Sequence, residues 1–163
     1  MKFDRQLFLE YKNLMKTTSI QAAYQQILDL LKYIFTTLQK EMKDYDFHPR
    51  IVENKMDFSY FQITNQKLKD KGLKIQIVFI HSTCRFEIWM SGYNRKIQSK
   101  YDNLISLNRC PFITCEDPYR NDFIAKIAVD DMEDPTSLKM ITQMKHYIKL
   151  LEEYFLSLEK TKI

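Results

Sequence analysis

Two stretches of alternating side chains within residues 73–94 (LKIQIVFIHSTCRFEIWMSGYN) predict a β-hairpin. If His81 pairs with Cys84 at the turn, one face carries three apolar pairs: Phe79–Phe86, Ile77–Ile88 and Ile75–Met90. The opposite face of the second stretch then carries Arg85, Glu87 and Trp89. A shift of one residue would mix apolar and polar side chains on both faces, so the pattern specifies this register strongly.

The rest of the chain supplies helices and two further strands. Apolar residues at helical spacing predict helices over 3–15, 19–43, 94–106 and 134–159. Asn94 is the expected N-cap of the third helix. Asp134, which a proline follows, is the expected N-cap of the last helix. We expect strands over 56–63 and 123–130, and irregular links over 64–72 and 107–121.

This order of elements predicts an α+β fold. Three sequential strands most simply form an antiparallel meander, to which a fourth strand is added and against which the N-terminal and C-terminal helices pack. The sequence contains no internal repeat and no linker-like stretch, so we expect a single domain over 1–163.

Glycine and cysteine usage exclude several classes of site. The chain has 2 Gly, which excludes the glycine-rich phosphate loops. Its 3 Cys favour reduced thiols in a cytoplasmic protein, and no second pair completes a zinc set with Cys110 and Cys115. We therefore expect no metal and no cofactor. No run reaches the roughly 18 apolar residues of a membrane span, so no membrane partner is expected.

The mixed face of the hairpin is the first candidate site. A tryptophan beside an arginine and a carboxylate can hold a flat ligand by stacking and ion pairing. The candidate residues are Arg85, Glu87, Trp89, Asn94, Gln98 and His81. The alternative is an Arg85–Glu87 surface pair beside a tryptophan that a helix covers. The first hypothesis is thus a non-enzymatic domain that binds an unknown small molecule or protein, and a homodimer is left open.

Charge and element order suggest a second hypothesis. Residues 1–110 carry 18 Lys/Arg against 11 Asp/Glu, whereas residues 111–163 carry 7 against 10. Helix, three strands, helix and strand is also the order of restriction-endonuclease-like cores, which need an acid on the second strand and acid-x-Lys on the third. Here the second strand lacks a carboxylate and the third reads Glu87-Ile88-Trp89. We therefore expect no active nuclease, but a degenerate relative could contact nucleic acid through Lys67, Lys69, Lys71, Lys74, Arg95 and Lys96.

A third hypothesis is an enzyme with a site around His81. Cys84 lies on the same predicted face across the turn, which is the arrangement of a Cys–His nucleophile pair. The structural alternative is a small thiol beside a hydrogen-bonded histidine at the sheet edge. Glu87 is on the opposite face, which counts against a His81–Glu87 pair. The sequence does not decide whether the protein is an enzyme.

Motifs within residues 56–101 carry a family resemblance. They are MDFSYF at 56–61, LKI at 73–75, Phe79, His81, RFEIW at 85–89, GYN at 92–94, and Gln98 to Tyr101. In these motifs the chain resembles an uncharacterised bacterial domain family of unknown function. The resemblance implies a bacterial, cytosolic, single-domain protein and supplies no activity. Asp102 departs from the family, which tends to have tryptophan there.

Overall fold

The computed structural model describes residues 1–130 and 133–158 of the chain. In this part the helices are α1 (Arg5–Thr17), α2 (Ile20–Glu41), α3 (Gln66–Asp70), α4 (Arg95–Leu107) and α5 (Leu138–Ser157). The strands are β1 (Asp46–Phe47), β2 (Val52–Asn54), β3 (Phe58–Thr64), β4 (Leu73–Ile80), β5 (Arg85–Gly92), β6 (Ile113–Thr114) and β7 (Ala125–Ala128).

The hairpin of β4 and β5 lies in the middle of one antiparallel sheet. The strand order is β1-β3-β4-β5-β7-β6, and β2 also pairs with β3. In the hairpin the pairs are Phe79–Phe86, Ile77–Ile88 and Ile75–Met90, so the predicted register is confirmed. The α+β class is confirmed as well, with β3 to β5 as the meander and β7 as the added strand.

The apolar face of the hairpin is buried against helices. Ile77, Phe86 and Ile88 are fully buried and belong to one core cluster. The cluster also includes residues from four helices: Leu31 and Ile34 of α2, Leu68 of α3, Tyr101 of α4, and Ile148 and Phe155 of α5. Burial of apolar side chains of this size stabilises the fold by about 1.5–3 kcal/mol each. None of the residues of α1 is buried.

A buried carboxylate fastens α5 to the segments beside β1 and α3. Glu152 accepts hydrogen bonds from the hydroxyl of Tyr45 and, at 2.7 Å, from Nδ2 of Asn65. Asn65 also caps α3, since its Oδ1 accepts from the backbone of Leu68. Burial alone would raise the pKa of Glu152, but these hydrogen bonds and the nearby Lys149 outweigh it and lower that pKa. The carboxylate is therefore charged and satisfied.

The beginning of β3 differs from the sequence prediction. Residues 56 and 57 were expected in the strand, yet Lys55 and Met56 have φ of 50° and 64°. These positive values form the tight turn of a β2–β3 hairpin, in which Asn54 pairs with Phe58. The links at 64–72 and 107–121 likewise contain short elements, α3 and β6.

The start of the last helix was predicted wrongly. Ser137 is the N-cap of α5, and its Oγ accepts from the backbone of Met140 at 3.2 Å. Asp134 instead accepts from the backbone and hydroxyl of Thr136, in a turn before the helix. An acid ahead of proline therefore shapes a turn here. The predicted end of this helix at 159 lies outside the described residues.

None of the described helices has the length and apolar composition of a membrane span.

Candidate functional site

The second face of the sheet carries the polar residues of the hairpin. Val78 and Trp89 are buried on this face and lie outside the core cluster. Cross-strand pairs show which side chains are neighbours there: Tyr60 with Val78, Val78 with Glu87, and Gln76 with Trp89. Alternation thus produces two different surfaces from one hairpin.

Trp89 and Glu87 bind each other. Trp89 is only 5% exposed, because its ring lies 5.3 Å from that of Phe58 and 5.0 Å from that of Phe123. Its Nε1 donates to Glu87 at 2.6 Å. Lys126 on β7 donates to both carboxylate oxygens of Glu87, at 2.9 and 3.0 Å. Trp89 therefore presents no open ring for a flat ligand, and strand and loop aromatics cover it instead of the helix that the alternative hypothesis expected.

Arg85 lies apart from this cluster. Its side chain is exposed at the start of β5 and forms neither a hydrogen bond nor an ion pair with any described residue. The expected Arg85–Glu87 pair does not form, because Lys126 occupies the carboxylate. Lys126 comes from a strand 39 residues further along the chain, and no local pattern could assign it.

His81 is held by neighbours on the helix-covered side. Its Nε2 lies 2.9 Å from Oγ of the buried Ser59, and its ring stacks on Tyr24 with a centroid distance of 5.2 Å. Tyr24 in turn donates to Glu53 at 2.7 Å. Burial lowers the pKa of His81. The thiol of Cys84 donates to the backbone carbonyl of His81 at 3.5 Å and not to the ring, so the geometry does not form the Cys–His pair that was considered.

The other cysteines are free thiols. Cys115 is buried, and its Sγ donates to Oδ1 of Asp102 at 3.3 Å. Burial and this hydrogen bond raise the pKa of Cys115 to about 12, so the thiol stays protonated at neutral pH. Asp102, the position of the family departure, thus contacts the 107–121 loop.

Within residues 1–130 and 133–158, no three His, Cys, Asp or Glu side chains form a group that could hold a metal ion.

A cleft of about 410 Å³ opens on the second face, where β2, β3 and β4 meet the start of α4. Its polar lining includes Tyr60, Lys74, Gln76, Asn94, Arg95, Gln98 and Asp122, and Val52 and Phe58 add apolar surface. Two of the predicted ligand residues, Asn94 and Gln98, therefore lie at this cleft. Two of the predicted basic residues, Lys74 and Arg95, line it as well.

Most polar groups of the cleft are held by protein partners. Arg95 binds Asp122 through Nη2 at 3.1 Å and donates through Nη1 to the backbone carbonyl of Asn121. Gln98 is 3% exposed; it accepts from the backbone of Gly92 at 2.9 Å and donates to Asn121 at 3.2 Å. Gln98 therefore connects α4 to β5 and to the 121–122 loop by hydrogen bonds.

The floor of the cleft is fixed in the same way. Gln76 is 4% exposed, and the hydroxyl of Ser91 lies 2.6 Å from its Oε1. The same hydroxyl lies 2.7 Å from the carbonyl oxygen of Asp122. Asn94 caps α4 by accepting from the backbone of Ile97 at 3.0 Å, as the sequence predicted. The shape of the cleft is thus built into the fold.

Lys74 is the exception. It is half-buried in β4, and burial lowers its pKa, with the carboxylate of Asp122 acting in the opposite direction. Its amine has no hydrogen bond and no ion pair with any residue that the structure describes. A half-buried ammonium group without a direct partner loses hydration, and here the carboxylate of Asp122 offsets this loss only in part. The first turn of α4 adds further positive potential.

A second cleft of about 340 Å³ adjoins the first and shares Lys74 and Tyr93 with it. Lys69 also lines it but is bound to Asp46 at 2.5 Å. Of the other predicted basic residues, Lys67 and Lys96 are exposed and Lys71 is partly buried, and none of the three lines either cleft.

Among the residues of the first cleft that sequence reasoning missed are Tyr60, Gln76 and Asp122. Gln76 had a signal, because it interrupts the apolar run LKIQIVFI together with Lys74 on the same face. Burial raises the pKa of Tyr60, so its hydroxyl stays a neutral donor. Asp122 lies in a loop and had no signal, since its position depends on contacts with α4.

Fold and site together define the class: an α+β domain with helices on one sheet face and a preformed polar cleft on the other. Residues 4–156 match the family described as Domain of unknown function (DUF7000), and the chain belongs to this family. The resemblance to an uncharacterised family is thereby confirmed. No curated protein and no solved structure matches the chain.

Proposed function

We propose that the protein is a binding domain for a small molecule with a carboxylate or phosphate group, which Lys74 holds in the first cleft. The observation that carries the proposal is the half-buried amine without a direct partner. An anion placed beside it would supply the missing charge and accept its hydrogen bonds. A hydrogen bond to a charged group contributes about 1.5–3 kcal/mol.

The charges around the cleft favour an anion over a cation. Arg95 and Asp122 bind each other, so their charges largely cancel. Lys74 then supplies a positive charge that the described residues of the cleft compensate only in part, through Asp122. The partial positive charge at the start of α4 acts in the same direction. Asn94, Gln76 and Tyr60 would contact the uncharged part of the ligand.

The size of the clefts limits the ligand to a small molecule. The first cleft, at about 410 Å³, lies in the usual range for such sites. Because Lys74 and Tyr93 belong to both clefts, a longer ligand could extend past them toward Phe47 and Pro49. The function proposed is therefore still non-enzymatic binding, as in the first hypothesis from the sequence, but the residue that holds the ligand is Lys74 instead of Trp89.

The test is a titration with inorganic phosphate and with acetate, followed by amide chemical shifts. The expected result is saturable shifts confined to residues 74–76 and 92–98, with at least a tenfold weaker affinity in Lys74→Met. Lys67→Met is the matched control, since it removes the same charge from an exposed site and should change the affinity less than twofold. Equal losses in both variants, or no binding by the wild-type protein, would overturn the proposal.

A second candidate function is nucleic-acid binding along the two clefts. The supporting observation is that three of the six basic residues, Lys69, Lys74 and Arg95, border adjoining clefts. Asp46 and Asp122 neutralise two of them, which makes this candidate weaker. Fluorescence anisotropy with a single-stranded oligonucleotide at 50 and 200 mM salt tests it, because phosphate contacts release counterions and the affinity must fall roughly tenfold or more. Absence of binding at the lower salt concentration excludes it.

A further inference from the structure

Helix α1 presents an apolar stripe that nothing in the described chain covers. Phe3, Leu7, Phe8, Tyr11 and Leu14 are between 49% and 62% exposed. Their spacing places Leu7, Tyr11 and Leu14 within one side of the helix. Leu9 is also 46% exposed but lies about 200° away around the helix from Leu7. A contiguous stripe of this size marks an interaction surface.

An apolar groove of about 440 Å³ lies elsewhere on the same chain, between α2 and the segment before α5. Its lining includes Ile27, Leu30, Tyr33, Pro135 and Thr136. The hydroxyl of Tyr33 donates to the carbonyl oxygen of Thr136 at 3.2 Å and joins the two walls. The groove is large enough to take a few side chains of the size found on α1.

The charges beside the two surfaces are complementary. The α1 region carries Lys2, Arg5, Lys12 and Lys16 against Asp4 and Glu10. Acidic residues lie at the groove: Asp29 lines it, and the exposed Glu133 and Asp134 directly precede Pro135. A basic amphipathic helix therefore matches an apolar groove with an acidic border.

We propose that two copies of this chain form a symmetric dimer in which α1 of each copy packs into the α2–α5 groove of the other. Stripe and groove are both present on every chain, so a twofold axis satisfies both at once. Half-exposed side chains of this size offer on the order of 500 Å² per helix, so two reciprocal contacts bury roughly 2,000 Å², the size of a stable interface. Packing of α1 on α1 would bury about half of that area and leave both grooves open.

The first test is the oligomeric state by sedimentation equilibrium. A chain of 19.7 kDa should give twice that mass, and Leu7→Glu should weaken the dimer at least tenfold. Both Leu7 and the control Leu9 are exposed on the same helix, so neither variant should impair folding, and Leu9→Glu should leave the dimer unchanged. A wild-type monomer at all concentrations, or equal effects of the two variants, would overturn the proposal.

The second test locates the contact by disulfide trapping in a Cys84→Ser background. Chains with Leu7→Cys and chains with Tyr33→Cys should cross-link when mixed. Cross-links between two Leu7→Cys chains would show α1–α1 packing, and an exclusively intramolecular link in the double variant would show that α1 folds onto its own groove. Either outcome would overturn the proposed reciprocal dimer. A monomeric protein whose α1 binds anionic phospholipid vesicles in a Leu7-dependent way would overturn it as well.

Discussion

The indole Nε1 of Trp89 donates a hydrogen bond of 2.6 Å to Oε2 of Glu87, two residues earlier on the same strand. Lys126 binds the same carboxylate from the neighbouring strand. The aromatic and charged groups on this part of the sheet therefore satisfy each other. The adjacent cleft differs, because the half-buried Lys74 on its floor has no such partner among the described residues.

Removal of the Glu87 carboxylate should destabilise the fold. Glu87→Ala leaves the Trp89 N–H and the Lys126 ammonium without their acceptor, which costs about 2–3 kcal/mol. Urea denaturation measures the change in the free energy of unfolding. Arg85→Ala, on the same strand and face but exposed, should change it by less than about 0.5 kcal/mol. If the two substitutions cost the same, Glu87 does not organise this surface.

Glu152 should make the fold sensitive to acid. Because its pKa is lowered in the folded state, its contribution is complete above the ordinary glutamate pKa of about 4.3 and is lost as the pH falls through the folded value. Glu152→Gln should cost about 2 kcal/mol at pH 7, and the difference from wild type should shrink below pH ~4. The exposed neighbour Glu153 provides the control, Glu153→Gln. A pH-independent difference would show that the charge of Glu152 is irrelevant.

Gly92→Ala should disturb the cleft through α4. A Cβ at this position would lie 2.7 Å from the backbone nitrogen of Gln98 and 3.1 Å from the carbonyl oxygen of Asn94. Since backbone atoms cannot move aside cheaply, we expect a loss of about 1–3 kcal/mol in thermal or urea unfolding, together with weaker anion binding. Asn103→Ala, exposed on the same helix, is the control. Unchanged stability in Gly92→Ala would mean that α4 can shift without penalty.

Lys74→Met should stabilise the protein while it weakens anion binding at least tenfold. The lowered pKa of Lys74 means that the protonated amine is disfavoured in the folded state, and this cost is present below the folded pKa. It disappears as the pH rises from the folded pKa to the ordinary lysine value of about 10.4. We expect a gain of under about 1 kcal/mol at pH 7 that vanishes at alkaline pH, measured by urea denaturation. Destabilisation at pH 7 would indicate that Lys74 has a structural role.

The parts of the fold that depend on local pattern could be predicted from the sequence. Alternation specified the hairpin register, since a slip would have exposed Phe79 or Phe86. Asn94 was recognisable as a cap because its side chain acts within its own turn of helix. The prediction of Asp134 as the N-cap of α5 was wrong for a related reason. An acid before proline can accept hydrogen bonds in a turn as readily as at a helix N-terminus.

The site could be predicted only in part, because its partners come from distant positions. Asn94, Gln98, Lys74 and Arg95 were named from the hairpin and the helix that follows it, and they meet at one cleft. The expectation of an open Trp89 was wrong, since covering it requires Phe123 from a later loop. Such pairings depend on which strands become neighbours, which periodicity within one strand does not specify.

The most direct test of the account is the pKa of the Lys74 amine, measured by NMR titration of its side chain with and without inorganic phosphate. We expect a pKa below that of ordinary lysines in the free protein, and a rise when phosphate binds, because the anion stabilises the protonated form. An ordinary pKa in the free protein, or a value that saturating phosphate leaves unchanged, would contradict the assignment of this cleft as an anion site.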